Sequence, residues 1–276
     1  MGPALALAAS LSWGLADFFG PLKGRTLGAL RVLLVGQAIG VSAIGLAVLV
    51  RFEGPKSALV LLAIPAAFSG TLGLYAFYRG MAEGAMSVVA PVAGVSAVVP
   101  VVVGFASGDR PSPAQDVGMG VALVGVLLAS RERQEGGRKG FAAGVGLALL
   151  AAIGFGGYFP FMHAAGDADF WWASFVFRMV TTSIVVVSVL ATRAAVGVPR
   201  ADLLVVALVG IGDTLGNVLY AAASGRGLVS VTSVLASLYP IVAVVLARIV
   251  LHERVDRSQE VGILATLAGV VLISAG

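Results

Sequence analysis

The chain has 276 residues, 59% of them hydrophobic and only 12% charged, with a mean hydropathy of +1.01, which excludes an ordinary soluble domain and indicates a membrane protein. A formal charge of +4 and a pI near 9.8 could point to nucleic acid, but Lys and Arg are scattered between apolar runs with no aromatic-flanked basic patch, so no nucleic-acid partner is expected. Cys is absent and the histidines are His163 and His252, too few for a zinc site, so no metal or other cofactor is expected.

In chain order the apolar runs are 1–22, 32–50, 57–78, 84–108, 117–130, 140–166, 170–192, 203–225, 227–247 and 261–276. A helix needs about 20 residues to cross the hydrocarbon core, so eight of these suffice alone, and the fifth and tenth must recruit flanking polar residues such as Gln115 and Gln259. Ten transmembrane helices are predicted in an all-α polytopic membrane protein. The first run has no basic n-region and is expected to be a retained helix, not a cleaved signal. The longest polar stretch, 131–140 (RERQEGGRKG), predicts a charged linker between residues 1–130 and residues 141–276. Glycines spaced by four, Gly36 with Gly40 and Gly212 with Gly216, suit close helix approach in lipid. Pro65, Pro91, Pro100, Pro160 and Pro240 fall inside runs and predict bends.

The two halves repeat. Thr71-Leu72-Gly73 recurs as Thr214-Leu215-Gly216, Gly84 as Gly227 and Ser87 as Ser230, at a shift of 143. At 144, Asp109-Arg110 meets Glu253-Arg254, and Gln115, Gly118 and Gly125 meet Gln259, Gly262 and Gly269. Trp13-Gly14 and Phe18-Phe19 align with Ile153-Gly154 and Tyr158-Phe159 at 140, and Arg31 with Arg178 at 147. Five helices per half is an odd number, so the second half must insert upside down. The prediction is two inverted five-helix repeats, related by a pseudo-two-fold axis in the membrane plane, as in alternating-access transporters.

These residues resemble a known family, the ten-helix EamA-type transporters of the drug/metabolite transporter superfamily, which includes amino-acid exporters. The resemblance rests on Ala9-Ser10-Leu11-Ser12-Trp13-Gly14, on Arg31 and its echo Arg178, on Tyr75 and Tyr78, and most strongly on Pro240, Leu251-His252-Glu253, Gln259, Gly262 and Gly269. His252 stands where the family has Gly, and Gly108-Asp109-Arg110 stands where the first-half Glu is expected.

Lys and Arg crowd the odd-numbered loops: Lys23, Arg25, Arg31, Arg79, Arg131, Arg133, Arg138, Lys139, Arg193, Arg200, Arg248, Arg254 and Arg257. Only Arg51, Lys56, Arg110 and Arg226 fall in even ones. The positive-inside rule then puts the odd loops in the cytoplasm and both termini outside. A bacterial inner membrane is the expected location.

Charges inside apolar runs cost about 2.5 to 3.5 kcal/mol at a helix centre and need a partner or a wet cavity. Asp213 sits mid-run, with Asn217 and Tyr220 on the same helical face, either as an interhelical hydrogen-bonding cluster or as a substrate or proton site. Phe68, Thr71, Tyr75 and Tyr78 share a face of the third run, and the repeat is expected to turn that face towards the Asp213 stripe. Aromatic rings opposite a carboxylate suit the ammonium group of an amino acid. Trp13, Asp17 and Phe18 on the first run, and Phe155 and Tyr158 on the sixth, complete the candidate substrate site, although Asp17 is equally a candidate for a solvated ion pair with Lys23 or Arg25. Arg178 is expected to be structural, Trp171 and Trp172 interfacial, and His163 a structural hydrogen bonder. Asp213 is expected to lack a fixed cation and hence to be free to exchange a proton.

Enzyme motifs are missing. His252-Glu253-Arg254-Val255-Asp256 has no second His, Gly118-x-Gly120 has no strand before it, and there is no GxxxxGK[ST] loop, so gradients must drive any transport. The leading expectation is a secondary exporter of small metabolites, such as neutral or aromatic amino acids, with protons as possible co-substrates and the lipid bilayer as its surroundings. The alternatives are a membrane-embedded enzyme or sensor, for which a clustered nucleophile and base are lacking, and a passive channel, whose flux would not saturate.

Overall fold

In the computed structural model, which describes residues 1–83, 95–129, 141–250 and 257–275, the chain is helical, with no strand among the described residues. Helices α1 (Gly2–Leu27) and α2 (Ala29–Arg51) meet at Gly28, whose φ of 93° turns the chain where a side chain would be strained. A 3-10 turn, Ala58–Leu62, leads into α3 (Ala63–Glu83), and a second, Val95–Ala97, into α4 (Val98–Ala106). Next come α5 (Pro113–Ala129) and α6 (Phe141–Thr192), which bends at Asp169 (φ −165°, ψ 103°) into two arms, 141–168 and 170–192. The order closes with α7 (Arg200–Ser224), α8 (Val229–Ala236), α9 (Tyr239–Val250) and α10 (Arg257–Ala275). The expected linker 131–140 and the Leu251-His252-Glu253 motif lie outside the described residues.

The first eleven residues of the fourth run, with Pro91, lie outside the described residues; the described parts of the runs map onto these helices with two differences in how the chain turns. The polar gap expected between the sixth and seventh spans contracts to a single corner residue. Asp169 Oδ1 accepts from the backbone N–H of Trp171 (3.1 Å) and Trp172 (3.3 Å), capping the second arm as Asp does at a helix start. The ninth span is broken at Ser237 and Leu238, just before Pro240, which brings no N–H to the ladder and disfavours helix in the residue before it. Both expected recruits serve: Gln115 lies in the first turn of α5 and Gln259 in that of α10.

Packing is the reverse of a soluble core. The buried positions are rich in alanine (Ala6, Ala9, Ala63, Ala66, Ala67, Ala221), while Leu49, Leu190, Leu204 and Leu264 point outward. Lipid is as apolar as leucine, so helices associate through small residues whose backbones can touch. Helices or helix pairs covering Gly2–Gly24, Ala29–Arg51, Ala58–Ala76, Leu149–Thr192 and Arg200–Ser224 are long and apolar enough to cross a bilayer, and shorter apolar helices cover Pro113–Leu128, Val229–Ala243 and Glu260–Ile273.

Two contacts show how the halves are related. A Cβ added at Gly118 would stand 2.9 Å from Gly269 O, and one at Gly125 would stand 2.8 Å from Gly262 O, so α5 and α10 cross antiparallel with backbones in contact. Gly118 and Gly125 are the repeat-mates of Gly262 and Gly269, which makes these one contact seen from either half. The same exchange occurs elsewhere. Ser12 Oγ donates to Gly212 O at 2.7 Å, from α1 to α7, and Ser69 Oγ donates to Gly154 O at 2.8 Å, from α3 to the first arm of α6. Counting the two arms of α6 as the sixth and seventh spans, span n and span n+5 thus change places under a two-fold operation that reverses chain direction, the mark of an inverted repeat.

Candidate functional site: two carboxylates beside a buried arginine

The helix crossings fix the site. One glycine row of α7 lets α2 approach: a Cβ on Gly210 would meet Gly36 O at 2.4 Å. The other row faces α1, where a Cβ on Gly216 would strike the Trp13 ring at 2.5 Å. With α1 and α2 clamped to α7, the polar stripe of α7 is held against α6.

Trp13 is the hub of an aromatic cluster. Its ring centroid lies 5.9 Å from Tyr158, 6.3 Å from Phe159, 6.1 Å from Tyr220 and 6.4 Å from Tyr239, mostly edge to face. Phe177 extends the cluster, 5.3 Å from Tyr158. The hydroxyls are satisfied. Tyr158 donates to Asn217 Oδ1 at 2.7 Å, and Asn217 Nδ2 donates to Asp213 O at 2.7 Å. Tyr220 donates to Phe159 O at 3.0 Å and accepts from Ser233 Oγ at 2.8 Å. The buried Tyr158 and Tyr220 hydroxyls are thus paired, as buried donors usually are, and the rings form one wall.

Beside that wall lies a charged network. Arg178, 1% exposed, donates from Nη2 to Asp213 Oδ2 at 2.6 Å and from Nη1 to Gln37 Oε1 at 2.9 Å, while its Nε is buried without a partner among the described residues. Thr181 also donates to Gln37 Oε1, at 3.1 Å. The Asp213 side chain is 38% exposed. Asp17 is exposed as well and lies near enough to Asp213 on α7 and Tyr239 on α9 for its charge to act on both. Arg178 is thus paired with Asp213, and Asp17 has no ion-pair partner among the described residues.

This geometry corrects several expectations. Asp213 does have a fixed cation, Arg178, because the second arm of α6 crosses α7 at that level; the carboxylate with no cation bound to it is Asp17. Lys23 is not the partner of Asp17 but pairs with Asp202 at 2.7 Å. The aromatic face of α3 is not turned onto α7. Instead α3 docks on the first arm of α6 through Ser69, Gly70 and Gly73, which leaves Phe68 and Tyr75 exposed and Thr71 half-buried away from the aromatic hub. Small residues choose the docked face, and bulky rings are excluded from it. The side chain of Tyr78 lies outside the described residues. Phe155 packs on Ala76 and Ala151 at that same α3 contact, and Phe18 stacks on Phe19 with centroids 5.0 Å apart. Trp13, Tyr158, Asp213, Asn217 and Tyr220 are brought together, with Asp17 beside them. His163 meets Gly227 O at 3.2 Å, a structural contact.

Sequence reasoning missed Gln37, Phe159, Phe177 and Tyr239. Gln37 carried a usable signal. Gly28 and Asp169 are corresponding corners, before the second helix of each half, and Gln37 and Arg178 each follow by nine residues. Arg178 thus matches Gln37 and not Arg31, whose Nε instead donates to Ala195 O at 3.3 Å near the start of α2.

No curated protein matches the sequence. A crystal structure of a protein 17% identical to this chain superposes with a TM-score of 0.79, covering 99% of this chain and 98% of its own; at that identity the likeness shows the fold alone. The model of the EamA-like transporter family matches residues 1–131 and again residues 142–275, and with nearly the whole chain matched as two repeats, this protein belongs to the EamA-like transporter family.

Proposed function

We propose that this membrane transporter of the drug/metabolite type exports neutral or aromatic amino acids, or close relatives, by alternating access, with residues 1–130 and 141–276 as the halves that move about a central cavity. A bacterial inner membrane is the setting this reading implies. The observation that carries it is the charge balance: Asp213 is paired with Arg178, while Asp17, one helical turn from Trp13, has no ion-pair partner among the described residues, which leaves one carboxylate uncompensated. One cation completes that balance, either a substrate ammonium or a proton. Because the two compete for the same charge, release of one is tied to capture of the other, which is the condition for antiport. The rings of Trp13, Tyr158 and Tyr220 are buried, so they shape the floor of the cavity, and Asp17 and Asp213 present the accessible groups.

The test is counterflow in proteoliposomes against a panel of amino acids and cationic drugs, with and without a pH gradient. Saturable exchange of neutral or aromatic amino acids that responds to the gradient supports the proposal. Saturable exchange of cationic drugs alone overturns the substrate assignment, and non-saturating flux overturns the transport cycle.

A further inference from the structure

A second charged cavity, of about 400 Å³, opens where α2 ends, α6 turns at Asp169 and α7 ends. Its lining includes three cations, Arg51, Lys56 and Arg226, and two carboxylates, Asp167 and Asp169. Arg51 stacks over Trp171, 5.6 Å from the ring centroid, and bonds to Glu53, while Arg226 Nη1 reaches back to Ala222 O. Asp169 is the telling residue. It is only 6% exposed, one carboxylate oxygen is engaged in capping Trp171 and Trp172, and the other, Oδ2, is buried with no hydrogen-bond partner among the described residues. A buried, half-satisfied carboxylate on a cavity wall is costly unless a donor comes to it.

Next to it in the chain lies a mostly apolar cavity of about 390 Å³, lined by Val48, Leu49, Val50, Phe52 and Trp172, with Glu53 and Gly54 just past the end of α2. Phe52 is 95% exposed and held in the left-handed region at φ 51°, and the Trp172 indole donates to Glu53 O at 3.0 Å. Tryptophans at the end of a span sit at headgroup level, and basic pockets there bind lipid phosphates.

We infer that these adjoining cavities form a binding site for an amine-bearing phospholipid. The phosphate is held by Arg51, Lys56 and Arg226, the primary ammonium by Asp169 and Asp167, and an acyl chain lies along Leu49, Phe52 and Trp172. The mixed charge selects the headgroup. An anionic head brings no positive charge to Asp169 and Asp167, and a quaternary ammonium offers them no N–H.

The test uses the full chain in detergent, measuring binding of phosphatidylethanolamine, phosphatidylcholine and phosphatidylglycerol by native mass spectrometry and by thermal shift. Phosphatidylethanolamine is expected to bind at least about fivefold more tightly than either of the others; equal binding of all three overturns the inference. Asp169→Asn keeps an oxygen to cap Trp171 and Trp172 while removing the charge, and is expected to erase the preference; a preference that persists overturns it. Should Asp169→Asn fail to fold, Lys56→Gln/Arg226→Gln is expected to weaken all three lipids, and undiminished binding overturns the site. Water-soluble phosphoethanolamine is expected to compete poorly, and competition at the affinity of the intact lipid shows a small-molecule site instead.

Discussion

Arg178 and Asp213 form an ion pair of 2.6 Å in which one partner is almost completely buried and the other is half open. The burial is unequal, so their removal should be unequal too. Taking away Asp213 strands a guanidinium in the protein interior with Gln37 as its remaining side-chain partner, and unpaired buried charges are among the most destabilising lesions known. Asp213→Ala is expected to cost about 3 kcal/mol of stability, seen as lower yield and an earlier thermal transition in detergent, and Arg178→Met/Asp213→Leu should recover part of the loss. A double variant no more stable than Asp213→Ala would show that the pair is not a structural unit.

Under the proposed antiport, the proton-linked role passes to Asp17. Asp17→Asn is expected to insert and melt like wild type, because no ion pair or hydrogen bond is lost, yet transport should no longer respond to a pH gradient. Parallel flux measurements with and without the gradient decide this; an unchanged response would move the coupling elsewhere.

Tyr158→Phe removes the hydroxyl that satisfies Asn217 Oδ1 in a buried setting, at an expected cost of about 1 to 3 kcal/mol. Tyr158→Phe/Asn217→Leu removes both groups and should be less destabilised than the sum of its parts. Thermal melts of the three variants against wild type form the cycle.

Gly125→Leu is expected to prevent stable folding, since even a Cβ there meets Thr266 Oγ1 at 2.4 Å and Thr266 N at 2.5 Å. Gly120→Leu on the same helix meets nothing within 4 Å and should be tolerated. Monodisperse elution of the Gly125 variant by size-exclusion chromatography would contradict the packing.

Glu53, in the loop after α2, is held below the usual carboxylate range by its hydrogen bond from Arg51, then by the Arg51 charge, with Lys56 adding to it. A lowered carboxylate contributes above its unfolded value and loses that contribution as pH falls through the lowered one, so the Arg51–Glu53 contact persists across the neutral and mildly acidic range. A side-chain NMR titration should place the Glu53 midpoint below that of a free glutamate, and Arg51→Gln should return it towards the ordinary value.

How much of this was legible from the residues depends on the range of the interaction. The spans were legible because a bilayer demands long apolar runs, and the inversion because five is odd and Gly118, Gly125, Gly262 and Gly269 keep their spacing. The stripe of Asp213, Asn217 and Tyr220 followed from helical period alone. The Arg178–Asp213 pair did not, since the two lie on different helices and only the crossing at Gly210 and Gly216 decides what the guanidinium can reach. The face of α3 was misjudged because aromatic residues were followed, whereas Ser69, Gly70 and Gly73 govern the docking. The Gly73–Gly216 match already marked that contact.

The corner positions Gly28 and Asp169 have one further consequence. They set Gln37 and Arg178 at equivalent heights, and the repeat-mate of Asp213 is Gly70, so the pair on one half faces an uncharged counterpart on the other. Two identical halves would give two end states of equal energy, each the image of the other. Here the Ser12–Gly212 and Gly118–Gly269 contacts have their counterparts in Ser69–Gly154 and Gly125–Gly262 but the ion pair has none, so under the proposed alternating access the two ends of the cycle would differ in energy by whatever that pair gains or loses between them. On that proposed cycle the resting preference would follow from a single unmatched arginine, and exchanging Gln37 for Arg together with Gly70 for Asp is the change that would level it.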